Sequence, residues 1–190
     1  MNIALFGGTF DPPQMGHKLL ITSVLSEIPE LDKVYIVPND TPTYKSVNAS
    51  MQDRYMMLKL LFAKVPKAIP AMFDKGESLT RDTVRKLCDL TQEDKITFIL
   101  GSDCYLDINN WGGVEYLKKH CSLAVAERPG WSLPQETLWP EVVILKTKMP
   151  EISSTTTRIL LQGKNKSKAT KKMLHKDVLE YIEMKGLYAK

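Results

Sequence analysis

The sequence has 190 residues, 43% hydrophobic and 25% charged, which suits one domain spanning 1–190 with a substantial apolar core. No apolar run approaches the ~20 residues that a membrane-spanning helix needs, and the first residues lack the basic start and apolar stretch of a secretory signal. The net charge of +4 favours anionic small molecules as ligands.

The placement of cysteines and lysines narrows the class of protein further. Cys88, Cys104 and Cys121 form no Cys-x-x-Cys pair, which favours reduced thiols and a cytoplasmic location over disulfides or zinc. Much of the excess positive charge lies between Lys164 and Lys176. Because no aromatic residues interleave there for base stacking, we expect a solvated loop and not a nucleic-acid site.

Short apolar runs alternate along the chain with segments of helical spacing. In chain order we expect strand 2–6, helix 17–28, strand 34–37, helices 51–65 and 80–90, strands 97–100, 123–126 and 142–145, and helices 155–162 and 176–184, the last two ended by Gly163 and Gly186. Segment 128–140, with three prolines, is expected to be a long surface loop near the site. This alternation predicts an α/β fold, a Rossmann-like, mostly parallel sheet with helices on both faces, whose ligands bind beyond the carboxyl ends of the strands.

The first strand is followed by a glycine turn that suits a phosphate group. Gly7 and Gly8 permit a tight turn and close approach of a ligand to the backbone. Gly16 and His17 then open a helix, where backbone N–H groups and the helix dipole favour an anion, and His17 adds a donor. The segment matches neither a Walker A loop nor the dinucleotide fingerprint. Taken alone, it is more typical of a structural turn with a capping histidine.

A cluster of hydroxyl groups precedes the helix expected at 155–162. Ser153, Ser154 and Thr155 lead into this helix, and Arg158 lies one turn inside it. One serine or threonine is enough for a helix cap, and threonines in series lower helix propensity. A dense set of donors beside an arginine therefore suits a triphosphate better than a cap alone.

Together the two motifs resemble those of the bacterial nicotinate mononucleotide adenylyltransferases, a nucleotidyltransferase family. Segment 7–17 is similar to the family signature Gly-Gly-Thr-Phe-Asp-Pro-x-His-x-Gly-His, and 152–158 is similar to Ile-Ser-Ser-Thr-x-x-Arg. Further similar segments occur at family-like spacing at 37–39 with Lys45 and 53–54, at 76–83, at 101–103 with Trp111, at 127–130 and at 181–188. Seven ordered segments make the resemblance far more specific than any one of them.

The resemblance implies a role for each matching position, with His17, Arg158 and Gln14 in catalysis. The implied ATP ligands are Gly7, Gly8, Thr9, Phe10, Gly16, His17, Ser153, Ser154, Thr155 and Arg158. The implied mononucleotide ligands are Asn39, Lys45, Thr80, Asp103, Trp111 and Arg128. Taken singly, Trp111 is as typical of a core, Asp103 of a helix cap and Arg128 of a charged surface, whereas the joint pattern favours a site.

Three positions depart from the family pattern. Gln14 and Tyr44 stand where the family has histidines, and Leu79 stands where it has a tyrosine. Gln14 keeps hydrogen-bonding capacity but cannot carry charge. At the mouth of an anion site, a charged imidazole would bind phosphate more strongly than Gln14 by ~1 kcal/mol. The sequence therefore predicts an active but slowed enzyme in which Gln14→His raises kcat several-fold.

The resemblance implies attack by a mononucleotide phosphate on the α-phosphorus of ATP, with release of pyrophosphate. A phosphate monoester has its second pKa near ~6, so the nucleophile is ionised at neutral pH and needs no general base. Mg²⁺ is expected with ATP, held largely by phosphates and water, because His17, His120 and His175 form no metal-ligand motif. The expected partners are small-molecule substrates, with no nucleic acid and no membrane.

Several alternatives stay open. One alternative is a related enzyme, such as pantetheine-phosphate adenylyltransferase or a cytidylyltransferase. Pantetheine-phosphate adenylyltransferase also lacks histidine at the position of Gln14. In contrast, Trp111 and segment 76–83 favour the pyridine-nucleotide enzymes. A non-catalytic nucleotide or NAD sensor would keep the cleft without turnover. Nicotinate and nicotinamide mononucleotide are not distinguished by side chains, and only the resemblance favours nicotinate. The sequence is compatible with a homo-oligomer as well as a monomer.

Overall fold

The computed structural model describes residues 1–41, 46–73, 79–93, 95–162 and 168–189. Its strands are β1 (Ile3–Gly8), β2 (Lys33–Pro38), β3 (Ala68–Pro70), β4 (Ile96–Gly101), β5 (Cys121–Ala126) and β6 (Val142–Leu145). They form one sheet in the order β3-β2-β1-β4-β5-β6, and every neighbouring pair is parallel. The chain winds outward from β1 to β3 and then returns to place β4 on the other side of β1. This reversal opens a crevice beyond the carboxyl ends of β1 and β4.

Helices cover both faces of the sheet, as predicted. They are α1 (Met15–Glu27), α2 (Met51–Phe62), α3 (Thr80–Thr91), α4 (Ser102–Asp107), α5 (Val114–His120), α6 (Ser154–Gln162), α7 (Lys168–Met173) and α8 (Lys176–Lys185). Because side chains alternate along a strand, Ala4 and Phe6 of β1 join one buried cluster with α1, α2 and α8, while Ile3 and Leu5 join a second with α3 and α5. No helix in the described ranges is long and apolar enough to cross a membrane.

All five predicted strands and all five predicted helices are present. Their ends differ by at most three residues, the largest difference being at α2, which ends at Phe62 and not at 65. The sequence did not predict β3, which is three residues long and too short to show an alternating pattern. Helices α4 and α5 were also missed, because both are short and an Asn- and Gly-containing segment separates them.

The lysine-containing segment is only partly as expected. Residues 164–167, and the helix stop predicted at Gly163, lie outside the described residues. The expectation of a loop is wrong for Lys168–Met173, which forms α7. Thr170 and Leu174 are buried and four residues apart, so they fix this segment against the core while neighbouring lysines stay exposed. Gly186 ends α8 in the left-handed conformation, as predicted.

A long connection follows β5, in agreement with the loop predicted at 128–140. Its first residues form a turn in which Gly130 has a φ of 82° and Trp131 N–H donates to the Arg128 carbonyl. Trp139 anchors the other end, because its indole is 3% exposed and donates to the Cys121 carbonyl at 2.9 Å. The connection thus begins beside the crevice and returns to the sheet at β6.

Candidate active site

The crevice is a cleft of about 1060 Å³ whose lining contains every predicted site residue that the structure describes. These residues come from five separate parts of the chain: 7–17, 39, 80, 103–128 and 153–158. Lys45, the remaining predicted ligand, and Tyr44 lie outside the described residues. The prediction that the motifs meet beyond the strand ends is therefore confirmed for the described residues, whereas the role of each residue stays a prediction.

The imidazole of His17 is held as a neutral hydrogen-bond donor. Gln14 backbone N–H donates to His17 Nδ1 at 3.0 Å, so the proton of the neutral ring is on Nε2. Burial, and secondarily the charge of Arg128, lower the pKa of His17 to about 3. The ring also packs edge-on against Phe10, with centroids 5.1 Å apart. His17 therefore presents a fixed, uncharged N–H at the start of α1.

The second glycine of the first motif lies close to a neighbouring ring. A Cβ on Gly8 would lie 3.0 Å from Cζ of Phe10. Phe10 itself has a φ of 51°, in the left-handed region, and its side chain is 2% exposed. The loop is thus folded tightly around a buried aromatic side chain, which leaves its backbone facing the cleft.

Asp11 is a buried carboxylate beneath this loop that accepts hydrogen bonds from distant parts of the chain. Its side chain is 1% exposed, and Oδ2 accepts the Asn48 backbone N–H at 2.8 Å. Oδ1 accepts the Ala49 backbone N–H at 3.1 Å and the Tyr188 hydroxyl at 2.7 Å. The sequence showed Asp11 only as a letter of the first motif, because its partners lie 37 to 177 residues away.

Arg54 holds the loops after β1 and β2 together from below. Its side chain is fully buried, and desolvation lowers its pKa below the ordinary value. A guanidinium carries five donors and no acceptor, which suits a set of carbonyl groups. The acceptors are the backbone carbonyls of Thr9, Asn39, Asp40 and Ala49. The sequence marks segment 53–54 only by its resemblance to the family, since backbone carbonyl partners leave no trace in a sequence.

Several hydroxyl groups at the start of α6 line the cleft, but some of them also form hydrogen bonds within the protein. Ser153 Oγ accepts the Thr156 backbone N–H at 3.1 Å, which is a helix cap. Thr157 is fully buried and donates to the Ser153 carbonyl at 2.9 Å. Ser154 Oγ donates to the Pro12 carbonyl at 3.0 Å and so connects α6 to the first loop. Fewer hydroxyls are therefore free for a ligand than the sequence suggested.

Arg158 extends from α6 back to the first loop. Nη1 donates to the Asp11 carbonyl and lies 3.8 Å from Asp11 Oδ2, and Nη2 donates to Thr155 Oγ1 at 3.4 Å. The side chain is 22% exposed, so part of the guanidinium stays accessible at the cleft. The starts of α1 and α6 thus converge, each with a side chain that can donate hydrogen bonds to an anion.

Gln14 is not at the mouth of the anion site, where the sequence placed it. The residue is 4% exposed, its Nε2 donates to Ser154 Oγ at 3.4 Å, and its Oε1 has no partner among the described residues. Gln14 therefore lies on the floor of the cleft, between α1 and α6. The error arose because a position preceding a helix does not reveal whether its side chain points to solvent.

The burial of Gln14 changes the expected effect of a histidine there. We expect Gln14→His to leave kcat within about threefold of wild type, because a buried imidazole would stay neutral, as His17 does. The measurement is kcat between about pH 6 and 8, the range in which an exposed imidazole takes up a proton. A several-fold rise in kcat that grows as the pH falls would show instead that a charged imidazole acts at position 14.

An ion pair lies across the end of β4. Arg128 Nη1 contacts Asp103 Oδ2 at 2.7 Å, and the Arg128 backbone N–H donates to Ser102 Oγ at 2.9 Å. A Cβ on Gly101 would lie 2.5 Å from Asp103 Oδ1 and 2.7 Å from Arg128 Cδ. A side chain at position 101 would therefore displace this pair. Asp103 is a paired carboxylate within α4 and not its cap, which is Gly101.

A separate part of the cleft lining is aromatic. Trp111 packs edge-on against Phe98, with centroids 6.0 Å apart, and is partly buried. Thr80 begins α3 beside it, and Leu79, 42% exposed, lies against Gly112. Trp111 thus serves the core and the cleft wall at once, which makes the two interpretations of the sequence compatible.

Comparisons with known proteins agree on the relatives of this chain. The model of the cytidylyltransferase-like family matches residues 5–159. A probable nicotinate-nucleotide adenylyltransferase of Thermus thermophilus is 35% identical over 99% of this chain and 100% of its own length. The nicotinate-nucleotide adenylyltransferase of Bacillus subtilis is 33% identical over 98% of this chain and 97% of its own length. The structure of Plasmodium falciparum nicotinic acid mononucleotide adenylyltransferase complexed with NaAD is similar in fold, with a TM-score of 0.81 and 23% sequence identity. The similarity covers 98% of this chain and 97% of the Plasmodium chain.

Proposed function

The chain belongs to the cytidylyltransferase-like family and, within it, to the nicotinate-nucleotide adenylyltransferases, and we propose that it transfers the adenylyl group of ATP to nicotinate mononucleotide. The products are deamido-NAD and pyrophosphate. One observation supports this most directly: the starts of α1 and α6 face the same cleft, and each carries a donor side chain, His17 or Arg158. Two anion sites at one cleft suit the phosphates of ATP.

The proposed mechanism relies on alignment and charge stabilisation. The mononucleotide phosphate is ionised at neutral pH, with a second pKa near ~6, so no residue has to remove a proton from it. His17 Nε2–H and Arg158 would donate to phosphate oxygens as negative charge moves toward the departing pyrophosphate. A neutral imidazole suits this role because Nδ1 is already occupied by the Gln14 N–H. The rate then depends on how well the cleft holds both substrates in line.

Magnesium is proposed to enter with ATP. Within the described residues no three histidine, cysteine, aspartate or glutamate side chains converge as a metal site. The carboxylates in the cleft lining are Asp103, which is paired with Arg128, and Asp107. Mg²⁺ in nucleotide sites is commonly held by one or two carboxylates with substrate phosphates and water, so this lining fits an ion that ATP brings.

The pyridine nucleotide is proposed to occupy the aromatic part of the cleft. Trp111 would stack on the pyridine ring, and Thr80 and Asn39 line the adjacent walls. Arg128, held by Asp103, would contribute positive charge to a phosphate or a carboxylate. Nicotinate is preferred as the substrate because the relatives are named for it.

Turnover is tested directly by mixing protein, ATP and Mg²⁺ with nicotinate mononucleotide, nicotinamide mononucleotide or phosphopantetheine in parallel. We expect pyrophosphate and dinucleotide with nicotinate mononucleotide, at a kcat/KM at least about tenfold above that of the amide, since ~1.4 kcal/mol of differential binding gives this ratio. Chelation of Mg²⁺ should abolish product. Binding of ATP without pyrophosphate from any acceptor would identify a sensor, and product only with phosphopantetheine would identify the related transferase.

A further inference from the structure

Tyr188 lies far from the cleft motifs in sequence, yet it contacts their central carboxylate. We propose that Tyr188 is a positioning residue for ATP: its hydroxyl fixes Asp11, and Asp11 fixes Arg158 at the cleft. The inference rests on the proposed function, because Arg158 is assigned there to the phosphates of ATP. Tyr188 itself is absent from the cleft lining among the described residues, so its effect on ATP would be transmitted through Asp11.

The geometry at Tyr188 is that of a directed contact. The residue lies two positions after Gly186, adopts a φ of 61°, and is 9% exposed, so its ring is packed into the core. A left-handed backbone is unfavourable for a residue with a side chain, and the surrounding contacts must stabilise it. Burial, and secondarily the hydrogen bond to Asp11, raise the pKa of Tyr188 above its ordinary value. The phenol therefore remains a donor at working pH.

Asp11 connects this donor to the cleft. Oδ1 is held by Tyr188 and by the Ala49 N–H, while Oδ2 is held by the Asn48 N–H and faces Arg158 Nη1 at 3.8 Å. Two donors on Oδ1 and one on Oδ2 set the rotation of the carboxylate. That rotation sets the direction of Oδ2 and hence its attraction for the Arg158 guanidinium, which also donates directly to the Asp11 backbone carbonyl.

Loss of the Tyr188 hydroxyl would weaken the hold on the Asp11 carboxylate without leaving a cavity in the core. In Tyr188→Phe the ring remains, while Oδ1 keeps a single donor. A buried carboxylate with fewer donors is attracted more strongly by the positive charges near it, which are Arg158 and the buried Arg54. Of these two, Arg158 lines the cleft. Arg158 would then be drawn toward Asp11 and away from the phosphates. The expected defect is in ATP binding and not in the binding of the pyridine nucleotide.

The chain offers a matched control in Tyr181. Its hydroxyl donates to Asp53 Oδ1 at 2.8 Å, against 2.7 Å for the bond from Tyr188 to Asp11. Asp53 lies in the first turn of α2, and neither Tyr181 nor Asp53 is in the cleft lining among the described residues. Tyr181→Phe removes a hydrogen bond of the same type at another carboxylate, so it measures the cost of such a loss to stability alone.

The experiment measures KM for ATP, KM for nicotinate mononucleotide, and calorimetric binding of a non-hydrolysable ATP analogue, with melting curves for each variant. We expect Tyr188→Phe to raise KM and Kd for the ATP ligands about 3- to 10-fold, the effect of roughly one hydrogen bond, and KM for the mononucleotide less than about twofold. Tyr181→Phe should change neither constant. In an Arg158→Ala background, Tyr188→Phe should have no further effect on ATP.

The outcomes separate this inference from the proposed function. Equal effects of Tyr188→Phe and Tyr181→Phe on ATP binding, or an ATP defect that persists undiminished in the Arg158→Ala background, would overturn the positioning role. If wild type binds the ATP analogue but makes no dinucleotide, the proposed function fails, and calorimetry alone still decides the role of Tyr188. An absence of analogue binding in wild type overturns both.

Discussion

Replacing His17 with alanine is expected to lower kcat about 100- to 1,000-fold, the usual cost of removing one oriented donor from a site of developing negative charge. The expectation depends on the fixed tautomer, in which the Gln14 N–H occupies Nδ1 and leaves Nε2–H for the ligand. Kinetics with saturating ATP and nicotinate mononucleotide measure the loss. His17→Asn keeps a neutral donor and acceptor and should recover about tenfold of it.

The control for this variant is His120→Ala. His120 stacks on Tyr116 with centroids 4.2 Å apart and is absent from the described cleft lining, so kcat should not change. A loss of less than about threefold in His17→Ala would mean that the phosphate site is not at the start of α1, since a neutral hydrogen bond alone contributes about this much.

The low pKa of His17 also gives the sign of its contribution to stability. The unfolded imidazole has an ordinary pKa near ~6.5, whereas the folded one is near 3, so between these values the unfolded state binds more protons. The native state therefore loses stability as the pH falls from about 6.5 to about 3, and the loss levels off below the folded pKa. Melting temperatures between about pH 7 and 5 should fall more steeply for wild type than for His17→Asn.

Arg158→Ala is expected to lower kcat/KM for ATP about 10- to 100-fold, because a charge-assisted hydrogen bond contributes roughly 1.5–3 kcal/mol. The free energy of unfolding should change little, since Asp11 keeps its bonds from Asn48, Ala49 and Tyr188. Initial rates as a function of ATP concentration, with a urea titration of each variant, test both statements. Arg158→Lys retains the charge without the planar fork and should fall between wild type and alanine.

A suitable control is Arg85→Ala. The Arg85 guanidinium lies over the Tyr116 ring at 5.3 Å, on an exposed face of α3 away from the cleft lining. Its loss changes the net charge by the same amount as the loss of Arg158. An equal ATP defect in both variants would show that only the overall charge matters, and an unchanged ATP dependence in Arg158→Ala would make Arg158 a surface residue.

The sequence was sufficient to predict how the described cleft is assembled. Residues such as Asn39, Asp103 and Arg128 follow or adjoin strand ends, and parallel strands bring those ends to one edge of the sheet. Apolar periodicity identified the longer elements because each buries one face. The three-residue β3 and the short α5 lacked the length over which a period becomes visible.

The supporting contacts beneath the cleft could not be predicted. Arg54 binds four backbone carbonyls, and a carbonyl is present at every position, so no residue type marks the partner. Asp11 and Tyr188 are 177 residues apart, and nothing local to either indicates the other. The burial of Gln14 depends on the docking of Ser154 against the first loop, which is likewise a property of the tertiary structure.

The wide separation of Asp11 from its partners has a consequence for synthesis of the chain. The carboxylate emerges 177 residues before the Tyr188 hydroxyl, which at ~5–20 residues per second is a delay of roughly 10–35 s. For most of this interval Asn48 and Ala49 are the backbone donors that can reach Asp11, and Oδ1 lacks the hydroxyl of Tyr188, which leaves the buried carboxylate less well satisfied. The chain that is still attached to the ribosome therefore contains the glycines and the imidazole of the first motif before Asp11 has all of its donors. Full affinity for nucleotide is expected only after Tyr188 has left the exit tunnel.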